Sequence, residues 1–210
     1  MINKKILISA MSIVTSLAVV GGATFAFFSD AGSSTDNIFS TGNLDMQLSN
    51  DNSTFTNDVA ATFGLAGAAP GDTFDDTLFV RNTGTVPANH IEVTAANTVT
   101  EAGSGPGTVS TIPFDRAIEI TALDWDSDGN GSTETSVLSQ VTDLNSNTII
   151  DLDDLENSTG LDNLLFGGTQ SAGHGLRVAG RLHPTITENQ HQGDSVSVDF
   201  SVTMNQDASQ

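Results

Sequence analysis

Apolar and polar residues alternate along much of this chain, which is the spacing of β-strands that bury one face. The clearest stretch lies near the C-terminus, where the apolar positions are Val196, Val198, Phe200, Val202 and Met204. Further stretches with this spacing are 43–49, 73–82, 90–95, 117–123 and 175–186, of which 73–82 is less regular. The pattern therefore predicts a chain built mainly from β-strands.

Turn-forming residues separate these stretches, and helix signals are few. Pro70-Gly71-Asp72 suits a tight turn, because proline fixes φ and glycine accepts a positive φ. Short helices are predicted only over 136–142, 151–156 and 160–166. We therefore predict an all-β fold, an antiparallel jelly-roll-like sandwich with short helices and acidic loop insertions.

The N-terminus has the features of an export signal. Lys4 and Lys5 precede the apolar segment 6–20, which is shorter than the roughly 20 residues that a membrane span needs. Thr24 and Ala26 then have the small-x-small spacing that signal peptidases recognise. We predict a signal peptide over 1–26, cut between Ala26 and Phe27; an uncleaved N-terminal anchor is the alternative.

The excess of acidic residues limits the kinds of molecule that the chain can bind. Both lysines lie in the predicted signal peptide, which leaves four arginines against 26 acidic residues. Such a chain repels nucleic acid and anionic lipid, and favours divalent cations or high salt. The chain has no cysteine, so no disulfide can stabilise an exported fold. We expect no nucleic acid partner and no membrane partner after cleavage.

Three stretches carry a resemblance to a known family. They are GGATFAFFSD at 21–30, PGDTFDDTLFVRNTGTVPANHIEV at 70–93 and NQHQGDSVSVDFSVTMNQ at 189–206. Together they resemble the TasA/camelysin (CalY) family of secreted proteins, whereas the segment 100–170 matches poorly and is interpreted as a variable insertion. The resemblance implies a secreted subunit of extracellular fibres, in a biofilm matrix or bundling pili at the cell surface, processed by a dedicated signal peptidase.

The resemblance also implies assembly by donor-strand exchange, in which a subunit completes the sheet of the next. The arm would be residues 27–37 and the jelly-roll domain 38–210. Phe27 and Phe28 would anchor the arm, followed by the small polar residues Ser29 and Asp30. An extended segment can add to a sheet edge through backbone hydrogen bonds, and a head-to-tail contact of this kind propagates as a filament. A disordered end without a role is the alternative.

The segment 124–135, DWDSDGNGSTET, resembles a calcium loop of the EF-hand type. Its predicted ligands are the side chains of Asp124, Asp126 and Asp128 and the carbonyl group of Asn130. Gly129 takes the sharp-turn position, but Thr135 stands where the last acidic ligand is usual. Trp125, within this loop, is expected to pack the loop against the core.

The segment 143–154, DLNSNTIIDLDD, resembles a dockerin-type calcium loop. Its predicted ligands are Asp143, Asn145, Asn147, Asp151 and Asp154, with the carbonyl group of Ile149. Thr148 stands where glycine is usual. We predict that calcium binds these loops singly and stabilises the fold; solvated acidic loops without an ion are the alternative.

Signatures of catalysis are absent from the sequence. The four histidines form no His-Glu-x-x-His pattern, and there is neither a cysteine nor a Gly-x-Ser-x-Gly motif. His183 and His191 are interrupted by Pro184, so no helix face joins them. We therefore predict a non-enzymatic subunit that polymerises with itself, with a metallopeptidase of the camelysin type and a monomeric calcium-binding adhesin as alternatives.

Overall fold

The computed structural model describes residues 42–59, 68–101, 112–185, 191 and 193–207. The predicted signal peptide, the cleavage site at Ala26 and Phe27, and the arm that begins Phe27-Phe28-Ser29-Asp30 lie outside the described residues. Within the described residues, no helix is long and apolar enough to cross a membrane.

The described strands form two antiparallel sheets, which confirms the predicted all-β sandwich. The larger sheet has the order β1-β2-β7-β4-β5, and the smaller has the order β6-β3-β8. The bounds are β1 Met46–Ser49, β2 Thr73–Asn82, β3 His90–Thr100, β4 Ile118–Trp125, β5 Thr135–Ser136, β6 Leu161–Leu165, β7 His174–Leu182 and β8 Ser195–Asn205. One α-helix is described, α1 Leu152–Asn157, with 3-10 turns at Phe114–Ala117 and Leu138–Gln140.

The inward faces of both sheets meet in a single apolar core. Alternation along β3 buries Ile91 and Val93 on the inner face of the smaller sheet, and Val80, Leu123 and Val178 come from the facing larger sheet. Burying one such side chain stabilises the fold by about 1.5–3 kcal/mol. The apolar positions of the alternating stretches are therefore the residues that form the core.

Trp125 ties the two sheets together at one end of the core. Its side chain is buried, and its Nε1 atom donates to the carbonyl oxygen of Leu165 at 2.8 Å. Its ring lies beside those of Phe166 and His174, with centroids 6.3 Å and 5.9 Å away. The expectation that Trp125 packs the first acidic loop against the core is met.

The helix predicted over 160–166 is wrong, because this segment contains strand β6. Leu161 and Leu164 are both buried, and a spacing of three is typical of a helix face. In the structure they pair with Val93 and Ile91, and the pairing shifts register between these two positions. Asn163, at φ 53°, takes up the extra residue as a bulge. The bulge converts the strand's period of two into an apparent period of three.

The other two helix predictions have different outcomes. The helix predicted over 151–156 is present as α1, which begins with a capping box between Asp151 and Asp154. The segment 136–142 instead contains the end of β5 and the 3-10 turn Leu138–Gln140. These elements lie in the predicted insertion and carry the acidic loops.

The four arginines that follow the predicted signal peptide are all engaged within the fold. Arg177 donates to Asp124 at 2.8 Å and to Asp75 at 2.7 Å, and these bonds raise the pKa of the guanidinium. The same contact lowers the pKa of Asp75. The remaining pairs are Arg81 with Gln47, Arg116 with Asp153, and Arg181 with Glu119.

Candidate acceptor cleft and cation-binding loops

The sandwich has a cleft where the edge of the larger sheet faces the edge of the smaller one. Its volume is about 220 Å³. Leu48 of β1, Leu78 of β2 and Phe200 of β8 provide an apolar lining. The polar residues Asn50, Asp58 and Asp199 and the apolar Val59 complete it. The cleft is smaller than the ~300–1,000 Å³ of pockets for small-molecule ligands, and its four apolar residues could contact one apolar side chain.

Strand β8 forms a long edge beside this cleft. It pairs with β3 over the full stretch from Ser195 to Asn205, and β3 is its only neighbour among the described strands. The two edges of the larger sheet are much shorter, at four residues for β1 and two for β5. A long edge exposes backbone N–H and C=O groups that another strand can pair with.

The first acidic loop is organised around Asp126. This carboxylate is 1% exposed. Its Oδ1 atom accepts from the backbone N–H of Gly129 at 2.8 Å, and its Oδ2 atom accepts from that of Gly131 at 2.8 Å. Carboxylate oxygens of Asp126, Asp128 and Glu134 lie within 4.8 Å of one another. Asn130 lies in the same turn, where its Oδ1 atom accepts from Ser132 N–H at 2.8 Å.

Asp124 does not join this group, in contrast to the predicted ligand set. It belongs to β4, where its Oδ2 atom accepts from Arg177 at 2.8 Å. If the loop is instead counted from Asp126, the sixth position is Gly131, whose φ is 90°. That is the sharp-turn position of a calcium loop. Gly129, the sixth residue of the predicted register, also has a positive φ of 72°, so it is the pairing of Asp124 with Arg177 that favours a donor set beginning two residues later.

The second acidic loop has the same backbone pattern. Asp143 accepts from the N–H of Asn147 at 3.2 Å and of Thr148 at 2.9 Å. Thr148, the sixth residue, has φ 75°, a left-handed conformation that costs a non-glycine residue about 1–2 kcal/mol. The amide groups of Asn145 and Asn147 both donate to Asp151 Oδ2, at 3.0 Å and 2.7 Å.

The end of the second loop is held by helix α1 and by a neighbouring strand. Asp154 accepts from Leu144 N–H at 2.9 Å, which closes the loop. The carbonyl oxygen of Ile150, next to the predicted ligand Ile149, accepts from Ile120 N–H of β4 at 2.8 Å. Asp151 is fully buried, and burial raises the pKa of its carboxyl group. Asn145, Asn147 and Asp154 are therefore hydrogen-bonded to Asp151 at the end of the loop, which is attached to the large sheet.

The first loop is attached to the core through a histidine and a glycine. His174 is buried, and its ring stacks on Phe166 with the centroids 3.9 Å apart. Its Nδ1 atom lies 3.1 Å from the carbonyl oxygen of Asp126, and burial lowers its pKa. A Cβ atom on Gly168 would lie 1.9 Å from the carbonyl oxygen of Asp128. The loop is thus seated directly on the segment that precedes β7.

A third group of donors was not predicted from the sequence, in which the histidines form no His-Glu-x-x-His pattern. His90, Glu92 and Asp162 each offer an atom within 4.8 Å of the others. His90 is 2% exposed, and its Nε2 atom lies 3.5 Å from Glu92 Oε1. One imidazole and two carboxylates fit a divalent metal ion of the zinc type. The pattern His-x-Glu on a strand was the only local signal.

Comparisons with known proteins give one finding. A family model described as camelysin metallo-endopeptidase matches residues 1–210. A search of the curated proteins found no match.

Proposed function

This chain belongs to the camelysin metallo-endopeptidase family, which matches it over residues 1–210, and on that premise we propose that it is an exported structural subunit of extracellular fibres. Copies join head to tail. The arm 27–37, freed by cleavage after Ala26, lies along β8 of the next copy. In this proposal the chain catalyses no reaction. It acts by forming a polymer at the cell surface or in the surrounding matrix.

The observation that carries this proposal is the long β8 edge beside a cleft with apolar and acidic lining residues. Among the strands that the structure describes, the smaller sheet has three and the larger has five, so one additional strand beside β8 makes the two layers more nearly equal. A donated strand gains main-chain hydrogen bonds along the edge. The ring of Phe27 or Phe28 enters the cleft against Leu48, Leu78 and Phe200, where an exposed aromatic side chain is removed from water.

The test compares a chain that begins at Phe27 with a chain that begins at Ile38, which lacks the arm. We expect fibres of the first chain in negative-stain electron microscopy and a monomer of the second in light scattering. A synthetic peptide of residues 27–37 should protect the amides of β8 from hydrogen exchange in the shorter chain. Fibres of equal length from both chains, or an arm that never leaves its own domain at any salt or calcium concentration, would contradict the proposal.

We also propose that both acidic loops bind calcium and stabilise the subunit. Carboxylate oxygens of Asp126, Asp128 and Glu134 lie within 4.8 Å of one another in the first loop, and those of Asp151, Asp153 and Asp154 do so in the second. Hard cations prefer such oxygen donors. The ion relieves the repulsion between neighbouring carboxylates. Because the loops attach to β4, β7 and α1, the ion acts on the large sheet rather than on the acceptor cleft.

Calcium binding predicts a rise in melting temperature. A one-hundredfold excess over Kd stabilises by about 2.7 kcal/mol per site, which for a domain of this size is roughly 5–10 °C. Calorimetry should give two ions per chain for the wild type and one ion for Asp126→Asn or Asp143→Asn. Asp124→Asn is the matched control and should keep two ions, since Asp124 faces Arg177. No heat and no change in melting temperature would remove the proposal.

The family description names peptide hydrolysis, so a metallopeptidase is the competing function. A casein cleavage assay on the zinc-loaded chain distinguishes the two. Cleavage that is lost in Glu92→Gln but kept in Asp199→Asn would replace the structural function with an enzymatic one.

A further inference from the structure

We infer that His90, Glu92 and Asp162 form a zinc-class metal site on the outer face of the smaller sheet. This site is independent of fibre formation and of the calcium loops. The three residues bring an imidazole nitrogen and two carboxylate oxygens within 4.8 Å of one another. Three protein ligands of this kind leave a position for water or for a fourth donor.

The fold brings the three residues together through a strand and a bulge. His90 and Glu92 are two residues apart on β3, so both side chains leave the face opposite to the buried Ile91. On β6, Leu161 and Leu164 pair with core residues of β3, and the extra residue of the bulge lies between them. Bulges re-aim side chains, and this one brings the carboxylate of Asp162 to Glu92.

The orientation of His90 prepares it as a ligand. Its Nδ1 atom lies 2.9 Å from the carbonyl oxygen of Asp207, so in the neutral ring Nδ1 carries the proton and donates it there. The Nε2 lone pair then faces Glu92. Histidine ligands usually donate their second ring N–H to a carbonyl or carboxylate group in this way. The main chain near the C-terminus therefore fixes the tautomer that a metal ion requires.

The distances agree with zinc coordination. Two ligands about 2.0–2.1 Å from a tetrahedral zinc ion lie roughly 3.3 Å apart. The Nε2 atom of His90 and the Oε1 atom of Glu92 are 3.5 Å apart, so little movement is needed. The side-chain amide of Asn205, 3.2 Å from Nε2, donates there without an ion. Ion binding requires this amide to turn away or to present its oxygen as a further ligand.

The competing occupant of this space is a proton. Protonated His90 would form an ion pair with Glu92 at the same 3.5 Å distance, and no metal would be needed. A proton and a metal ion compete for the same Nε2 lone pair. The test must therefore measure the ion itself and the nitrogen that binds it.

The experiment is a titration with Zn²⁺ in a buffer saturated with calcium, using the full chain. We expect one zinc ion per chain. Glu92→Gln and Asp162→Asn should each weaken binding at least tenfold while the melting temperature of the zinc-free protein stays close to that of the wild type. His183→Gln and Asp199→Asn are the matched controls, and both should bind zinc as the wild type does.

Nitrogen NMR of the histidine rings supplies a second readout that does not depend on affinity. Zinc should shift the Nε2 resonance of His90 and leave its Nδ1 atom protonated. The inference is overturned if the wild type binds no zinc, if both carboxylate variants bind it unchanged, or if the Nε2 resonance responds to pH but not to zinc. None of these outcomes bears on whether the arm builds fibres.

Discussion

Phe200→Asp is expected to stop polymer growth while leaving the variant able to donate its own arm. Phe200 lines the cleft with Leu48 and Leu78, so an aspartate there would place a charge against the apolar lining. Burying an unpaired charge costs several kcal/mol, and the neighbouring Asp199 adds repulsion. Electron microscopy of the chain that begins at Phe27 should show no fibres for this variant.

A mixture of two chains that cannot polymerise alone tests this prediction more specifically. The chain that begins at Ile38 can accept an arm but cannot donate one, and Phe200→Asp can donate but cannot accept. Light scattering of the mixture should therefore show a dimer that grows no further. Its formation would also demonstrate that the Phe200→Asp variant is folded well enough to present its arm.

The matched control for the acceptor cleft is Leu165→Asp. Leu165 is 58% exposed and lies on β6, the opposite edge of the same three-stranded sheet. This variant should polymerise as the wild type does. If Leu165→Asp blocks fibres and Phe200→Asp does not, the growing end of the polymer lies at β6, and the acceptor proposed here is wrong.

Gly168→Ala is expected to destabilise the fold by about 2–5 kcal/mol. Gly168 has φ 55°, and its added Cβ atom would lie 1.9 Å from the carbonyl oxygen of Asp128. The main chain fixes the position of the Cβ atom, and the carbonyl oxygen belongs to the main chain. No side-chain rotation can therefore relieve the clash. The loop around Asp126 must shift, and the chain should lose its calcium response together with its stability. Urea unfolding with and without calcium measures both quantities.

Gly71→Ala separates backbone strain from collision. Gly71 also has a positive φ, 94°, but a Cβ atom there meets nothing within 4 Å. We expect a loss of about 1–2 kcal/mol, from the left-handed conformation alone, with an unchanged response to calcium. Equal losses in the two variants would show that the contact between Gly168 and Asp128 contributes nothing.

The stretches of alternating residues predicted most of the described strands, because every second side chain of a strand points to the buried face. The prediction from alternation was wrong where the backbone departs from the two-residue repeat of a regular strand. At β6 the bulge at Asn163 spaced Leu161 and Leu164 like residues of a helix. The two-residue strand β5 is too short to carry a period at all.

A candidate site could be predicted from the sequence more fully when its residues lie close together along the chain. In 143–154 the turns of the loop bring Asn145, Asn147 and Asp154 into hydrogen-bond contact with Asp151, because a loop of this kind is defined by its own turns. The calcium ligand set stays a prediction. In 124–135 the repeated aspartates fit two registers, and only the extension of β4 to Trp125 shows that Asp124 belongs to the sheet. The group around His90 joins β3 to β6 through a bulge, which no local motif contains.

The pairing of every arginine inside the fold has a consequence for how finished fibres meet. Three of the four arginines pair with carboxylates and Arg81 pairs with the neutral amide of Gln47, so a fibre of the proposed kind would carry a large net negative charge. Two parallel filaments then repel each other over many subunits at low ionic strength, and at 1 M salt that repulsion reaches only about 3 Å. We therefore expect fibres of the proposed kind to stay separate at low ionic strength, and to associate laterally at high salt or when divalent ions bridge them.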